Sequence, residues 1–498
     1  MSSFVLNFPL FMIILCLVCA AVGTLLPRAA ARTVSLSLAA LCLAAIFCVF
    51  LYVYGAGQEF EYRMGHYPHP WGNELKIGIL ESLFGMAFSL VLFLSLLGGK
   101  DPLDRLVEPG KGRFFYVMAD LVLVALLVLV YSNDLFTGYV FIEICTLASC
   151  GILMIRGNGR TVLASTRYLI FSLTGSGLFL FGVIILYNIT GHLLMPDLKE
   201  AVGALTASGA YRFPFLASVS LVSIGLAVKS GLFPFHLWMA DTYGEAVPTS
   251  SAILSGLVTK GYAFFLVRFI FDVTGPDIFW QSGVQNVLFA MGAAGVVMGS
   301  VGAIQENNLY RMIAYSSAAQ IGYIYMGIGL SADLGLTAAL FHILLHALTK
   351  PALFLSASRL SARMGGALKF RNLQGAGYYE PAAGVYFTAA AFSMIGLPFT
   401  MGFISKYLFG LAAFRASTPK LVLTLLVLAV STVLNTFYFA RTVLRIYNAP
   451  KKPPAERQPA KDLPSYIIAG ALFALINVAV GILSGPLTDL LGYGLSLF

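Results

Sequence analysis

Residues 221–238 read LVSIGLAVKSGLFPFHLW. The run has helical length, and apolar sequence lies on both sides of Lys229, with Pro234 five residues further on. A charge at a bilayer centre costs about 2.5–3.5 kcal/mol on insertion scales. A proline inside a helix removes one backbone hydrogen bond and frees a carbonyl. The stretch reads as a membrane helix that holds a functional charge and then breaks.

Composition extends that reading to the whole chain. Of 498 residues, 59% are hydrophobic and only 11% charged, with mean hydropathy +0.86. Soluble domains are about 25% charged. A soluble enzyme, a disordered chain, a collagen-like fibre and a disulfide scaffold are therefore excluded. Apolar runs lie near 4–26, 33–55, 76–98, 113–132, 135–156, 163–189, 213–239, 250–272, 279–303, 309–330, 334–360, 382–410, 420–446 and 464–490. At about twenty residues they suit helices crossing about 30 Å of hydrocarbon, not the shorter alternating strands of a barrel. The N-terminus, apolar from Phe4 to Leu26 without a basic leader, reads as a first span, not a cleaved signal. Loops read as short. The longest polar stretches are 56–75, 99–112 and 447–463, the last an exposed linker around Pro450, Lys451, Lys452, Pro453, Pro454, Glu456 and Arg457.

The net charge of +9 does not suggest nucleic acid, because no basic cluster is interleaved with aromatics. Of 31 Lys and Arg, 20 fall in loops after odd-numbered spans and seven, counting Lys76 and Arg268, after even-numbered ones. The positive-inside rule then puts the odd loops in the cytoplasm and both termini outside. Cys16, Cys19, Cys42, Cys48, Cys145 and Cys150 all lie in apolar runs and read as packing residues. No cofactor, metal or iron–sulfur cluster is expected. There is no thiol cluster, no glycine-rich nucleotide loop and no soluble domain to house one.

The other four positive residues, Lys229, Lys260, Lys350 and Lys406, fall inside apolar runs. Glu143 lies within span 5 and needs a partner, for which Lys229 is the candidate; a purely structural ion pair is the alternative. An ammonium taken out of water holds its proton less tightly. Two like charges about 7 Å apart at an effective dielectric near 20 repel by about 2.4 kcal/mol. One protonation can thus push the next proton along. His342, His346 and Lys350, at i, i+4 and i+8, share one helical face about 6 Å apart in rise. They suit a proton relay, with a metal site or a structural histidine pair as alternatives. Lys260 would bridge the two halves, and Lys406 would end the line. Asp241 and Glu245 read as helix caps or as residues of a mouth.

A weak repeat supports two halves. Asn133-Asp134-Leu135-Phe136 opens span 5, and Asn307-Asn308-Leu309-Tyr310 opens span 10. An offset of five spans inverts the second copy and matches Lys229 with Lys406. Inverted repeats with broken helices mark transporters. The candidate breaks are at Pro234, Pro351 and Pro398.

These stretches resemble the antiporter-like, proton-translocating subunits of the complex I superfamily. The resemblance rests on Asn133 through Glu143, Lys229 through Trp238 with Pro248-Thr249, and Ser255 through Lys260. It rests also on Ala314 through Tyr323, His342 through Lys350, and Gly396-Leu397-Pro398 through Lys406. It covers roughly residues 70–445. It implies an all-α polytopic membrane protein of about 14 helices, with inverted five-helix repeats over spans 4–8 and 9–13 and broken helices 7 and 12. The expected segments are 1–112, 113–272, 273–446 and 447–498. Glu143 with Lys229 would be the coupling pair; Lys260, His342, His346 and Lys350 would connect it to Lys406. Partners would be small membrane subunits, including other antiporter-like ones, with or without a peripheral redox arm. Lys406 stands where the respiratory branch has glutamate. The pattern therefore reads closer to the D-like branch of the Mrp-type cation/proton antiporters and to the antiporter-like subunits of membrane-bound hydrogenases. The absence of a long lateral helix after span 14 separates it from the largest subunit type.

The function expected is ion translocation within a larger complex in a prokaryotic cytoplasmic membrane, protons with or without sodium. A stand-alone secondary transporter and a quinone-binding subunit of a respiratory dehydrogenase are the alternatives.

Overall fold

The computed structural model describes residues 2–67, 72–366, 368–449 and 464–497. The linker expected at 447–463 falls mostly outside them. Twelve helices among the described residues are long and apolar enough to cross a membrane. The first seven are α1 (Phe4–Gly23), α2 (Arg28–Ala56), α3 (Ile79–Gly98), α4 (Gly112–Tyr131), α5 (Leu135–Met154), α6 (Gly159–Thr190) and α7a (Arg212–Ser230). The others are α8 (Pro248–Thr274), α9 (Val284–Gln305), α11 (Asp333–Arg363), α13 (Thr418–Tyr447) and α14 (Pro464–Ile482). The thirteenth pass is α10 (Leu309–Gly329), and the fourteenth is made of two half-helices, α12a (Pro381–Ile395) and α12b (Met401–Ala413). α10 carries Ser316, Ser317, Gln320 and Tyr323 and is buried nearly throughout. Facing protein on every side, it needs no lipophilic surface. α8 and α11 are likewise enclosed, whereas α1 and α13 stand at the periphery with Leu426, Val433 and Phe437 turned outward.

The two tetrapeptides that suggested a repeat prove to be helix caps. The Asp134 carboxylate accepts from Thr137 N at 2.5 Å to open α5, and the Asn308 amide oxygen accepts from Tyr310 N at 2.9 Å to open α10. Each satisfies a backbone donor that the first turn leaves free.

Helix 7 breaks at Gly231, whose φ of 73° ends α7a, and resumes as α7b (Leu237–Glu245). Helix 12 breaks in the same way at Gly396, φ 88°. Pro234 and Pro398 lie in these two interruptions. Two expectations need correction here. α11 runs unbroken through Pro351. The ring packs over α8 at Gly256, where the Cβ of a larger residue would lie 2.6 Å from Pro351 Cγ, so neighbouring helix replaces the support that a break would have removed. The matching of Lys229 with Lys406 also fails in detail. Lys229 lies in the last turn before its break, and Lys406 lies within α12b, after its break.

The loops hold more structure than their length suggested. β1 (Phe60–Arg63) and β2 (Glu74–Ile77) form an antiparallel hairpin between α2 and α3, with Phe60 opposite Ile77. A helix, Met195–Ser208, follows α6, and another, Ser484–Leu497, follows α14. Lys76 and Arg268, read as loop charges, are instead buried, Lys76 in β2 and Arg268 inside α8. The odd connections gather on one face. Arg28 pairs with Asp104 at 2.9 Å, Arg156 donates to Glu245 O at 3.3 Å, and Arg311 pairs with Asp241 at 2.8 Å. On the other face, Asn133 N donates to Glu74 O and Leu135 N to Leu193 O.

Candidate functional site

Lys229 is enclosed at the end of α7a. Its ammonium donates to Thr146 Oγ1 of α5 at 2.8 Å and, on α6, to Ser176 Oγ at 2.7 Å and Ser172 Oγ at 3.0 Å. Glu143 Oε1 stands 4.0 Å away. Hydroxyls therefore do the hydrogen bonding, and the carboxylate acts on the ammonium through charge alone, from beyond hydrogen-bond range. Room for the lysine stem comes from Gly175 of α6, where a Cβ would lie 2.6 Å from Lys229 Cγ. The Tyr262 ring of α8 lies 5.2 Å from the Lys229 ammonium, close enough for a cation–π contact.

Lys260 sits where α8 departs from regular winding. Residues 254–258 form a π-turn, and the Lys260 ammonium donates to the Ser255 carbonyl within it and to Thr259 Oγ1 at 3.1 Å. π-turns loosen the backbone ladder and expose carbonyls of this kind. Opposite, α11 presents His342, His346 and Lys350, all buried. The two imidazole centroids are 6.4 Å apart. His342 Nδ1 bonds Ser405 Oγ of α12b at 2.7 Å, and Lys350 donates to Ser316 Oγ and, at 3.2 Å, to Ile313 O of α10. Both ring nitrogens of His346 are without a hydrogen-bond partner among the described residues. Lys406 donates to Ile395 O at 2.6 Å, the last carbonyl of α12a, and to Thr432 Oγ1 of α13 at 2.7 Å.

The expected residues thus gather into two groups. Glu143 and Lys229 form one. In the other, Lys260, His342, His346 and Lys350 lie on the packed pair α8 and α11, and His342 links them through Ser405 to the turn that carries Lys406. Tyr262, two residues from Lys260 on α8, faces Lys229. Asp241 lies at neither group. It pairs with Arg167 and Arg311 and ties α7b to α6 and α10 at the odd face. Sequence reasoning missed the hydroxyls. Ser172 and Ser176, at i and i+4, were the available signal, since that spacing puts two polar groups on one face.

Lysines beside two interrupted helices, with buried histidines and lysines on two further enclosed helices, define a polytopic antiporter-like membrane protein. Residues 132–432 match the family described as NADH:quinone oxidoreductase/Mrp antiporter, transmembrane, and the chain belongs to that family. A relative, NADH-quinone oxidoreductase subunit N of Desulforudis audaxviator (strain MP104C), is 35% identical over 85% of this chain and 84% of its own. Among solved structures, a chain of the membrane-bound sulfane sulfur reductase, an archaeal respiratory membrane complex, is 25% identical with TM-score 0.85, covering 100% of this chain and 97% of that one. A chain of the Mrp complex from Dietzia sp. DQ12-45-1b is 23% identical with TM-score 0.86, over 99% and 96% of the two chains, and shares the fold.

Proposed function

We propose that the chain is the ion-translocating subunit of a multisubunit membrane complex and moves protons along the Glu143, Lys229, Lys260, His342, His346, Lys350 and Lys406 axis. The observation that carries this reading is three buried lysines and a half-buried fourth, Lys406, each held by hydroxyls or carbonyls rather than locked in a close salt bridge. An ammonium held by neutral oxygens can release its proton without stranding a tightly paired carboxylate. Glu143, 4.0 Å from Lys229, biases that release as it approaches or withdraws. A charge moved across 100 mV exchanges about 2.3 kcal/mol, which is comparable to the repulsion between two lysines about 7 Å apart. Shifting a few buried charges can therefore transmit work from a partner redox module, or from the descent of a second ion such as sodium. The relatives named above support membership of a larger assembly. The odd-loop charge bias supports an orientation with both termini outside a prokaryotic cytoplasmic membrane.

The test is ion pumping or antiport by the assembled complex in vesicles with Lys229→Ala. Transport falling to background with assembly intact is expected. Near-normal transport would reduce Lys229 to a structural role.

A further inference from the structure

A second set of buried charges lies apart from the axis, beneath the β-hairpin. Lys76 of β2 pairs with Glu59 at 2.9 Å and with Asp272 at 2.8 Å. Asp272, in a π-turn over Ile270–Thr274 of α8, also takes Arg268 Nη2 at 2.9 Å. Arg268 is wholly buried and further donates to Val130 O at 2.9 Å and Ser132 O at 2.6 Å. Glu81, in the first turn of α3, closes the set.

Glu81 is 0% exposed, and neither carboxylate oxygen accepts a hydrogen bond among the described residues. Its nearest cation, Arg268 Nε, stands 3.6 Å away, beyond hydrogen-bond range. A buried carboxylate left in that state is unfavourable unless something neutralises it. Its Oε2 instead faces a second carboxylate across Gly78. A Cβ on that glycine would collide with Glu81 Oε2 and lie 2.9 Å from Glu59 Oε1. The inner set holds three acids, Glu59, Glu81 and Asp272, against two bases, Lys76 and Arg268. Glu74, nearby in β2, is paired with Arg63 at 3.1 Å. Tyr131 faces Glu81 from α4 and brings no charge. Burial pushes the Glu59 carboxyl up from its ordinary value, against the pull of Lys76. A cleft of about 470 Å³, lined by Glu59, Glu61, Lys76, Lys199 and Asp272, opens beside the set on the even face. Its exposed Glu61 and Lys199 offset each other at the mouth.

The geometry points to a cation site in which Glu81 and Glu59 together hold one exchangeable monovalent cation, a proton or an alkali ion, at the even face. It stands independently of the role proposed for Lys229. One added positive charge neutralises the surplus acid, and the gap over Gly78 places it between two oxygens. Infrared difference spectroscopy of the full chain in lipid, across pH and with sodium chloride exchanged for choline chloride, tests it. A carboxyl band that titrates with pH and vanishes in Glu81→Gln supports the proton. A carboxylate shift that follows sodium and vanishes in Glu81→Gln supports the alkali ion. Identical pH and sodium responses in wild type and Glu81→Gln overturn the site. If Glu81→Gln does not accumulate, Glu59→Gln in the loop before β1 decides by the same criteria. Lys229→Ala should leave these signals unchanged while it abolishes transport, so the two readings fail separately.

Discussion

At the scale of the residue, each axis lysine hands its charge to neutral oxygens, Lys229 to Thr146, Ser172 and Ser176 and Lys406 to Ile395 O and Thr432. Lys229, Lys260, Lys350 and Lys406 stand out in the sequence because nothing apolar around them compensates an ammonium. Thr146, Ser172 and Ser176 do not stand out, because hydroxyls in membrane helices usually bond their own backbone. Thr146 and Ser176 do both here: Thr146 Oγ1 donates to Ile142 O and Ser176 Oγ to Ser172 O, each at 2.9 Å, while both accept from Lys229. A hydrogen bond to a charged group is worth about 1.5–3 kcal/mol. Ser176→Ala should therefore slow transport by about tenfold without affecting assembly, and an unchanged rate in vesicles would show that the remaining oxygens suffice. On α11, single histidine substitutions should slow transport in steps. Lys350→Ala should cost more than His342→Ala or His346→Ala, because Lys350 also ties α11 to α10 through Ile313 O and Ser316. Equal losses in all three would argue against a graded relay. Arg268 and Lys76 were misread for a different reason. Close to the ends of apolar runs, a buried charge and a snorkelling one have the same sequence.

At the scale of the element, helices were readable from length, while irregularities were only half readable. Proline marked the interruptions at Pro234 and Pro398, and the structure adds the left-handed glycines, Gly231 and Gly396, that end the first half-helices. Proline misled at Pro351, since a single missing hydrogen bond can be absorbed when a neighbouring helix packs over it. Pro351→Ala restores a donor to a helix that is already continuous. It should keep most of the transport and not lower the thermal midpoint of the solubilised complex. A collapse of transport would mean that the free Ala347 carbonyl is used. The π-turns of α8 had no sequence mark at all. They are set by what α8 packs against, which a single sequence does not contain.

At the scale of the whole molecule, the parity of fourteen passes was legible because each crossing needs its own apolar run. The structure places Arg28, Arg156, Arg311 and Arg359 on one face, in ion pairs or backbone contacts with neighbouring loops. Which side of the membrane that face occupies follows from charge bias alone. Single cysteines at 365 and near the C-terminus, with the six native cysteines replaced, check it. Impermeant reagent added outside should label the C-terminal site and spare 365, and the reverse pattern would invert the molecule. Even the enclosed α10, expected at 309–330, was placed to within a residue, and α8 and α11 to within a few, although their hydropathy falls as protein replaces lipid around them.

The two lysines beside the breaks hold the molecule together in different ways. The bonds of Lys229 run sideways, to α5 and α6, whereas Lys406 reaches back across its own interruption to the final carbonyl of α12a. Lys406 is a latch between two halves of one helix, and its grip is charge-assisted at the negative end of a helix dipole. Neutralising Lys229 would loosen a seam between helices; neutralising Lys406 would free a hinge within one. Spin labels on α12a and α12b should therefore broaden their distance distribution in Lys406→Met, and the same substitution at Lys229 should leave that distribution narrow.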